Sequence, residues 1–177
     1  MTTNPQGPLS AAQQNLRSLL ADCEQFRLWT GQPSQDLALG RIFVEGLPPP
    51  ADDRESHARE ELDGLRPNVI VSMARERGFL RVRDGFGAWK DSGRLLLQFE
   101  QALPAELADD RAEADRRFEN TIGLILDEMC RLSDQAGQAE SYLVIERLQI
   151  LEGPFRTHPD EIATYGDVQA IDVLVEY

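Results

Sequence analysis

Between Phe118 and Leu132 the apolar residues Phe118, Ile122, Ile125, Met129 and Leu132 recur at intervals of four, three, four and three. That spacing places side chains on one face of a helix. Leu143 to Leu151 and Val168 to Tyr177 are instead rich in Val, Ile, Leu and Tyr, which suit a pleated, half-buried surface. In the second of these runs Ile171, Val173, Val175 and Tyr177 alternate with Asp172, Leu174 and Glu176. In the first, Tyr142, Val144, Leu148 and Ile150 share a face with Glu146 between them, so Glu146 is either paired or sits at a bulge. A helix laid on an antiparallel pair buries both kinds of face, and Phe118 to Tyr177 is therefore expected to be the centre of the fold, with Gly153 to Asp167 as a polar loop within it.

The preceding half of the chain repeats these patterns in shorter pieces. Met1 to Pro8 is polar, with two prolines and a glycine, and predicts a flexible start. Ser10 and Gln13 form a capping-box pattern, and Leu16, Leu19, Leu20, Cys23 and Phe26 follow on one face, predicting one helix of about five turns that stops near Trp29 to Gly31. Trp29 is either a core or edge aromatic or an anchor on a partner subunit. Arg41 to Glu45 reads as a short strand closed by Gly46 and the prolines 48 to 50, which favour a stiff extended segment. Ala51 to Arg66 holds six acids and three arginines around Leu62 and Leu65. It reads as a solvated loop or short surface helix, or as an arm ordered by a neighbouring molecule through residues such as Asp52 and Asp53.

Asn68 to Arg75 predicts a strand with Val69, Val71 and Met73 on its buried face, and Phe79 to Arg83 a second strand in which Arg81 and Arg83 form a basic stripe. That stripe either pairs with nearby carboxylates on a solvated face or meets the acidic 51–66 segment of another subunit. Asp84 to Lys90 contains two glycines but neither a Gly-Lys-Ser/Thr sequence nor a following helix, so it reads as a hairpin loop exposing Phe86 and Trp89 rather than a phosphate cradle. Arg94 to Gln101 predicts a strand with Leu95, Leu97 and Phe99 inward and Gln98 and Glu100 outward. The expected architecture is a single α+β domain over 1–177: a mainly antiparallel sheet of four to six strands with two main helices on one face, a flexible segment at 1–8 and a Pro-rich acidic insertion at 46–67.

Composition narrows the chemistry. With 177 residues and 41% apolar content the chain has the size of one domain and needs no covalent staples. Cys23 and Cys130 both fall on the apolar side of predicted helices and are expected to be small buried residues. Met1 to Gln14 lacks a basic region followed by an apolar core, and no apolar run approaches the ~20 residues that span a bilayer, so a soluble protein is expected. The net charge is −13, from 31 acidic and 18 basic residues, of which only Lys90 is lysine. Such a surface repels phosphate backbones, which argues against a nucleic-acid binder that works by phosphate neutralisation.

His57 and His158 have no second histidine or cysteine at ligand spacing. His158, Asp160 and Glu161 are better read as an ordinary polar loop than as a cation site. Asp109, Asp110, Glu113 and Asp115 are interleaved with Arg111, Arg116 and Arg117, the pattern of a solvated helix face. Asp127 and Glu128 are adjacent, splayed about 100° apart on a helix, and so do not form an acid/base pair. No catalytic, cofactor or metal site is expected.

Three segments carry a family resemblance: Gly93-Arg94-Leu95-Leu96-Leu97-Gln98-Phe99, then Ile122-Gly123-Leu124-Ile125-Leu126-Asp127, and the closing run from Tyr165 to Tyr177. With the order helix, strands including a hairpin, long helix and two closing strands, the region Arg94 to Tyr177 is similar to the tail terminator or tail completion proteins of tailed bacteriophages. These are small α+β proteins that form a ring closing the end of the tail tube. The resemblance implies a non-enzymatic virion protein of the tail or neck, assembled in the host cytoplasm. It also implies a homo-oligomer, a hexameric ring, whose partners are the tail tube and head-tail connector proteins. DNA would pass through an acidic channel without specific binding, and neither membrane nor cofactor is involved. Contacts to subunits or tail would come from Trp29, Asp52, Asp53, Arg81, Arg83, Phe86, Trp89, His158, Asp160, Glu161 and Tyr165. The alternatives are another connector, neck or tail assembly subunit, or a hydrolase using scattered carboxylates and a metal.

Overall fold

The computed structural model describes residues 8–49, 61–74, 80–83, 89–136, 143–156 and 168–177. Three helices come first: α1 (Pro8–Asp22), α2 (Glu24–Thr30) and α3 (Gln35–Leu39). Strands β1 (Ile42–Val44), β2 (Asn68–Met73), β3 (Leu80–Arg83), β4 (Trp89–Ser92) and β5 (Arg94–Ala102) follow, then a 3-10 turn at Ala105–Leu107. The long helix α4 (Arg111–Ala136), β6 (Arg147–Arg156) and β7 (Val168–Glu176) complete the order. Five strands form one sheet in the order β1-β2-β5-β7-β6, antiparallel except for the β1–β2 pair, while β3 and β4 form a sheet of their own. This is an α+β fold with a mostly antiparallel sheet, as the periodicity predicts.

Strand alternation decides which sheet face is buried. Val69, Phe99 and Ile171 are register partners across β2, β5 and β7, and Val71, Leu97 and Val173 make the next such row. All six are fully buried. Against these rows lie Leu16, Leu19 and Leu20 of α1, Phe26 of α2, and Phe118, Ile122, Ile125 and Met129 of α4. The four-three-four stripe read from the sequence is thus the packing face of α4, with Leu132 partly buried at its end. Each of these large side chains contributes roughly 1.5–3 kcal/mol through removal from water.

The expected five-turn helix is two helices. The backbone is extended at Cys23, with φ −62° and ψ 121°, and turns the chain between α1 and α2. The Cys23 thiol donates to the Leu19 carbonyl at 3.3 Å. Burial first, and the nearby Glu128 carboxylate second, push that thiol far above its ordinary pKa, so it stays protonated. Cys23 offers no side-chain cap to α2. A carboxylate from another helix takes that place, because Glu128 of α4 accepts a hydrogen bond from the Gln25 backbone N–H at 2.8 Å. Gly31, at φ +67°, ends α2 in the left-handed conformation.

Other expectations are corrected. Ser10 lies inside α1 rather than capping it, and Gln13 donates to the Glu45 carboxylate at 2.6 Å. Helix α3 was not signalled by periodicity; Ser34 caps it by accepting from the Leu37 N–H. Cys130 is exposed, since it is one residue past Met129 and turned about 100° from the buried stripe. Met73 shares a face with Val69 and Val71 but is 39% exposed, near the end of its strand.

Strand β6 starts at Arg147, later than expected, and continues through Gly153 and Pro154 where a loop was predicted. Its register shifts fall between Ile150 and Glu152 and between Glu152 and Phe155, not at Glu146. Gly153 has φ +132°, and a Cβ there would come within 2.9 Å of the Ala170 carbonyl oxygen and of Ile171, so the irregular stretch requires glycine. Upstream, the Ser133 hydroxyl donates to the Leu143 carbonyl at 3.1 Å and accepts from the Ile145 N–H at 2.7 Å, fastening the end of α4 to the approach to β6.

Phe118→Ala should cost about 3–5 kcal/mol by urea unfolding, because it empties a fully buried site facing the sheet. Leu124→Ala, at an exposed position on the same helix, should stay within about 0.5 kcal/mol of the parent apart from its small propensity gain.

Candidate functional site

The sequence-predicted contact residues fall into separate places. Arg81 and Arg83 lie on β3 and Trp89 on β4, which form a two-stranded sheet of their own. Register pairs Leu80 with Ser92, Arg81 with Asp91, Val82 with Lys90 and Arg83 with Trp89. Both arginines are exposed. Trp89 and Lys90, assigned from sequence to a hairpin loop, are strand residues instead. The pattern Trp-Lys-Asp-Ser lacks apolar alternation, so its strand character comes from pairing with β3 and carries no sequence signal of its own.

Trp29 lies elsewhere, at the edge of the main core. Its ring sits 5.9 Å from those of Phe26 and Phe99 and 6.1 Å from that of Phe118. Its indole N–H donates to Gln101 at 3.0 Å, Gln101 donates to the nearly fully buried Gln169 at 2.9 Å, and Gln169 donates to Asp115. This chain of side chains runs from α2 across β5 and β7 to α4. It gives Trp29 a complete intramolecular role: a packed ring with its polar end satisfied.

A buried polar group on the opposite sheet face escaped the sequence reading. Glu100, expected to point outward, does leave the helix-covered face but is only 6% exposed. Arg66 approaches it at 3.5 Å, and both side chains are almost completely buried. Burial pushes the Glu100 carboxyl above its ordinary pKa, and the Arg66 charge opposes that shift. Arg66 also binds Asp63 at 2.6 Å. Asn68 is the register partner of Glu100 and is fully buried, with neither amide atom hydrogen-bonded among the described residues. The sequence placed Arg66 at the end of a solvated acidic segment. No local pattern indicated that it folds back over β5.

Asp52, Asp53, Phe86, His158, Asp160, Glu161 and Tyr165 lie outside the described residues, as does most of the acidic 51–66 segment; 61–64 forms a helical turn. In α4, Glu113 binds both Arg116 and Arg117, the salt-bridged pattern expected of this charged run. Among the described residues no group of three or more His, Cys, Asp or Glu side chains could hold a metal ion, and no described helix is long and apolar enough to cross a membrane.

Removing one partner of a buried ion pair strands the other. Arg66→Met should therefore cost about 3–5 kcal/mol at pH 7. Without Arg66, the folded-state pKa of Glu100 rises further above its unfolded value of 4.5. Stability is then lost as pH increases through that interval and recovered as Glu100 takes up a proton. Thermal melts should show the gap between variant and parent narrowing from pH 7 to pH 5. A constant gap would show that Arg66 acts through packing alone.

No protein-family model matches the chain, and no curated protein matches it.

Proposed function

We propose that this protein is a non-enzymatic structural subunit of a tailed bacteriophage, forming a ring that closes the tail tube at the head-tail junction. The carrying observation is the outer strand β6, ten residues long and paired with β7 on one side. Ile150 and Leu151 in this strand are each 48% exposed, and Val144 just before it is 54% exposed. Ile150 shares a register position with the core residue Val173, yet lies at the sheet edge. Apolar side chains along an outer strand suit burial against another subunit.

The segment bearing the family resemblance supports the same reading. Arg94 to Tyr177 supplies β5, α4, β6 and β7, so the resemblance falls on the helix and strands that form about half of the core. The −13 charge has a role in a ring. An acidic inner wall repels DNA and lets it pass, whereas each phosphate neutralised by a cation would hold it back.

Mass photometry of the purified protein should show a cyclic oligomer, negative-stain images should show rings, and added tail tubes should be capped at one end. Ile150→Lys should weaken assembly by about tenfold or more with an unchanged far-UV spectrum, since it places a charge in the contact. A strict monomer both alone and on tubes, or a channel lined with arginine, overturns the proposal.

A further inference from the structure

We propose that Arg66, Asn68 and Glu100 form a closed polar site whose ligand is ordered water, and that the buried Arg66–Glu100 pair is joined through it. This inference is independent of the ring reading above. Asn68 of β2 and Glu100 of β5 are register partners, so their side chains leave the sheet on one face, with Cβ atoms about 4.5–5.5 Å apart. Arg66, two residues before β2, brings its guanidinium to the same place. The site is closed to bulk solvent: Asn68 is fully buried, and the side chains of Arg66 and Glu100 are only 7% and 8% exposed.

Four buried polar atoms meet there without a hydrogen-bond partner among the described residues: Arg66 Nε, Asn68 Nδ2, Asn68 Oδ1 and Glu100 Oε2. Asp63 occupies Nη1 of Arg66 at 2.6 Å and leaves Nε facing Glu100. Nε and Oε2 stand 3.5 Å apart, whereas a direct charge-assisted hydrogen bond closes to about 2.7–2.9 Å. Two of the four atoms are donors and two are acceptors, the set that a molecule able both to donate and to accept satisfies. Water does this with the two to four bonds usual for a buried molecule. Within the closed part, the guanidinium and one carboxylate offset each other. A cation would meet Arg66, an anion would meet Glu100, and an apolar group would leave all four atoms unpaired. Globular proteins hold about one buried water per 27 residues, so a chain of 177 has ample scope for such a site.

The test combines a high-resolution crystal structure of the full chain with deuterium and oxygen-17 relaxation dispersion, which counts long-lived internal waters, and with thermal melts of Asn68→Leu. The crystal should show water within hydrogen-bond distance of the Asn68 amide and of Arg66 or Glu100. A dry site, or one filled by an ion or by a protein side chain, overturns the proposal. Asn68→Leu keeps the side-chain size and removes both amide atoms. It should abolish the long-lived water signal and lower the melting temperature by about 2 °C or more, because the charged pair loses its bridge. An unchanged water count, or a melting temperature equal to or above the parent's, overturns it, since deleting an unsatisfied amide from a dry site is neutral or stabilising. If Asn68→Leu does not fold, the parent's crystal structure and relaxation dispersion decide alone.

Discussion

The antiparallel pairing of β5 with β7 is the constraint on which the other elements depend. It runs through nine register positions from Arg94 with Glu176 to Ala102 with Val168. Because side chains alternate across a strand, this register puts Leu95, Leu97 and Phe99 on the same face as Val175, Val173 and Ile171. A slip of one residue would turn all of them away from the helices. The stripe of α4 packs on that face, and β2 and β6 pair with its two outer sides. Gly93 makes room at one end: a Cβ there would lie 2.6 Å from the Tyr177 hydroxyl oxygen, and the two residues exchange backbone hydrogen bonds of 2.9 and 3.1 Å.

Polar side chains fix how these layers fit together. On the helix-covered face, Trp29, Gln101, Gln169 and Asp115 link α2, the sheet and α4, and Glu128 of α4 caps α2. On the opposite face Arg66 and Glu100 form a buried pair beside Asn68. Burying these groups carries a desolvation cost that apolar packing would not, and hydrogen bonding or pairing offsets it only where the geometry is met. The first set is well satisfied and specifies one docking of α2. In the second, burial pushes the Glu100 carboxyl above its ordinary pKa while the Arg66 charge opposes the shift, and the pair links the turn before β2 to β5.

Ile150 and Leu151 lie in β6, an outermost strand of the five-stranded sheet, and stay half exposed. The buried rows of β5 and β7 and the helices packed on them hold the main part of the core.

The sequence by itself determined the elements whose packing faces follow a regular period. Phe118 to Met129 and Ile171 to Val175 were legible because a helix repeats every 3.6 residues and a strand every two, and burial imprints those periods on residue type. Composition likewise carried the acidic surface. Tertiary structure alone decided the features that depend on residues distant in the chain. The break at Cys23 is supported by Glu128, and β4 is a strand because β3 pairs with it. Arg66 is buried because Glu100 meets it, and β6 runs through Gly153 because β7 lies close enough to exclude a Cβ. Cys130 shows the same limit within a helix, where one residue's rotation, about 100°, separates a buried position from an exposed one. Neighbours of this kind are set by the fold, and no local pattern records them.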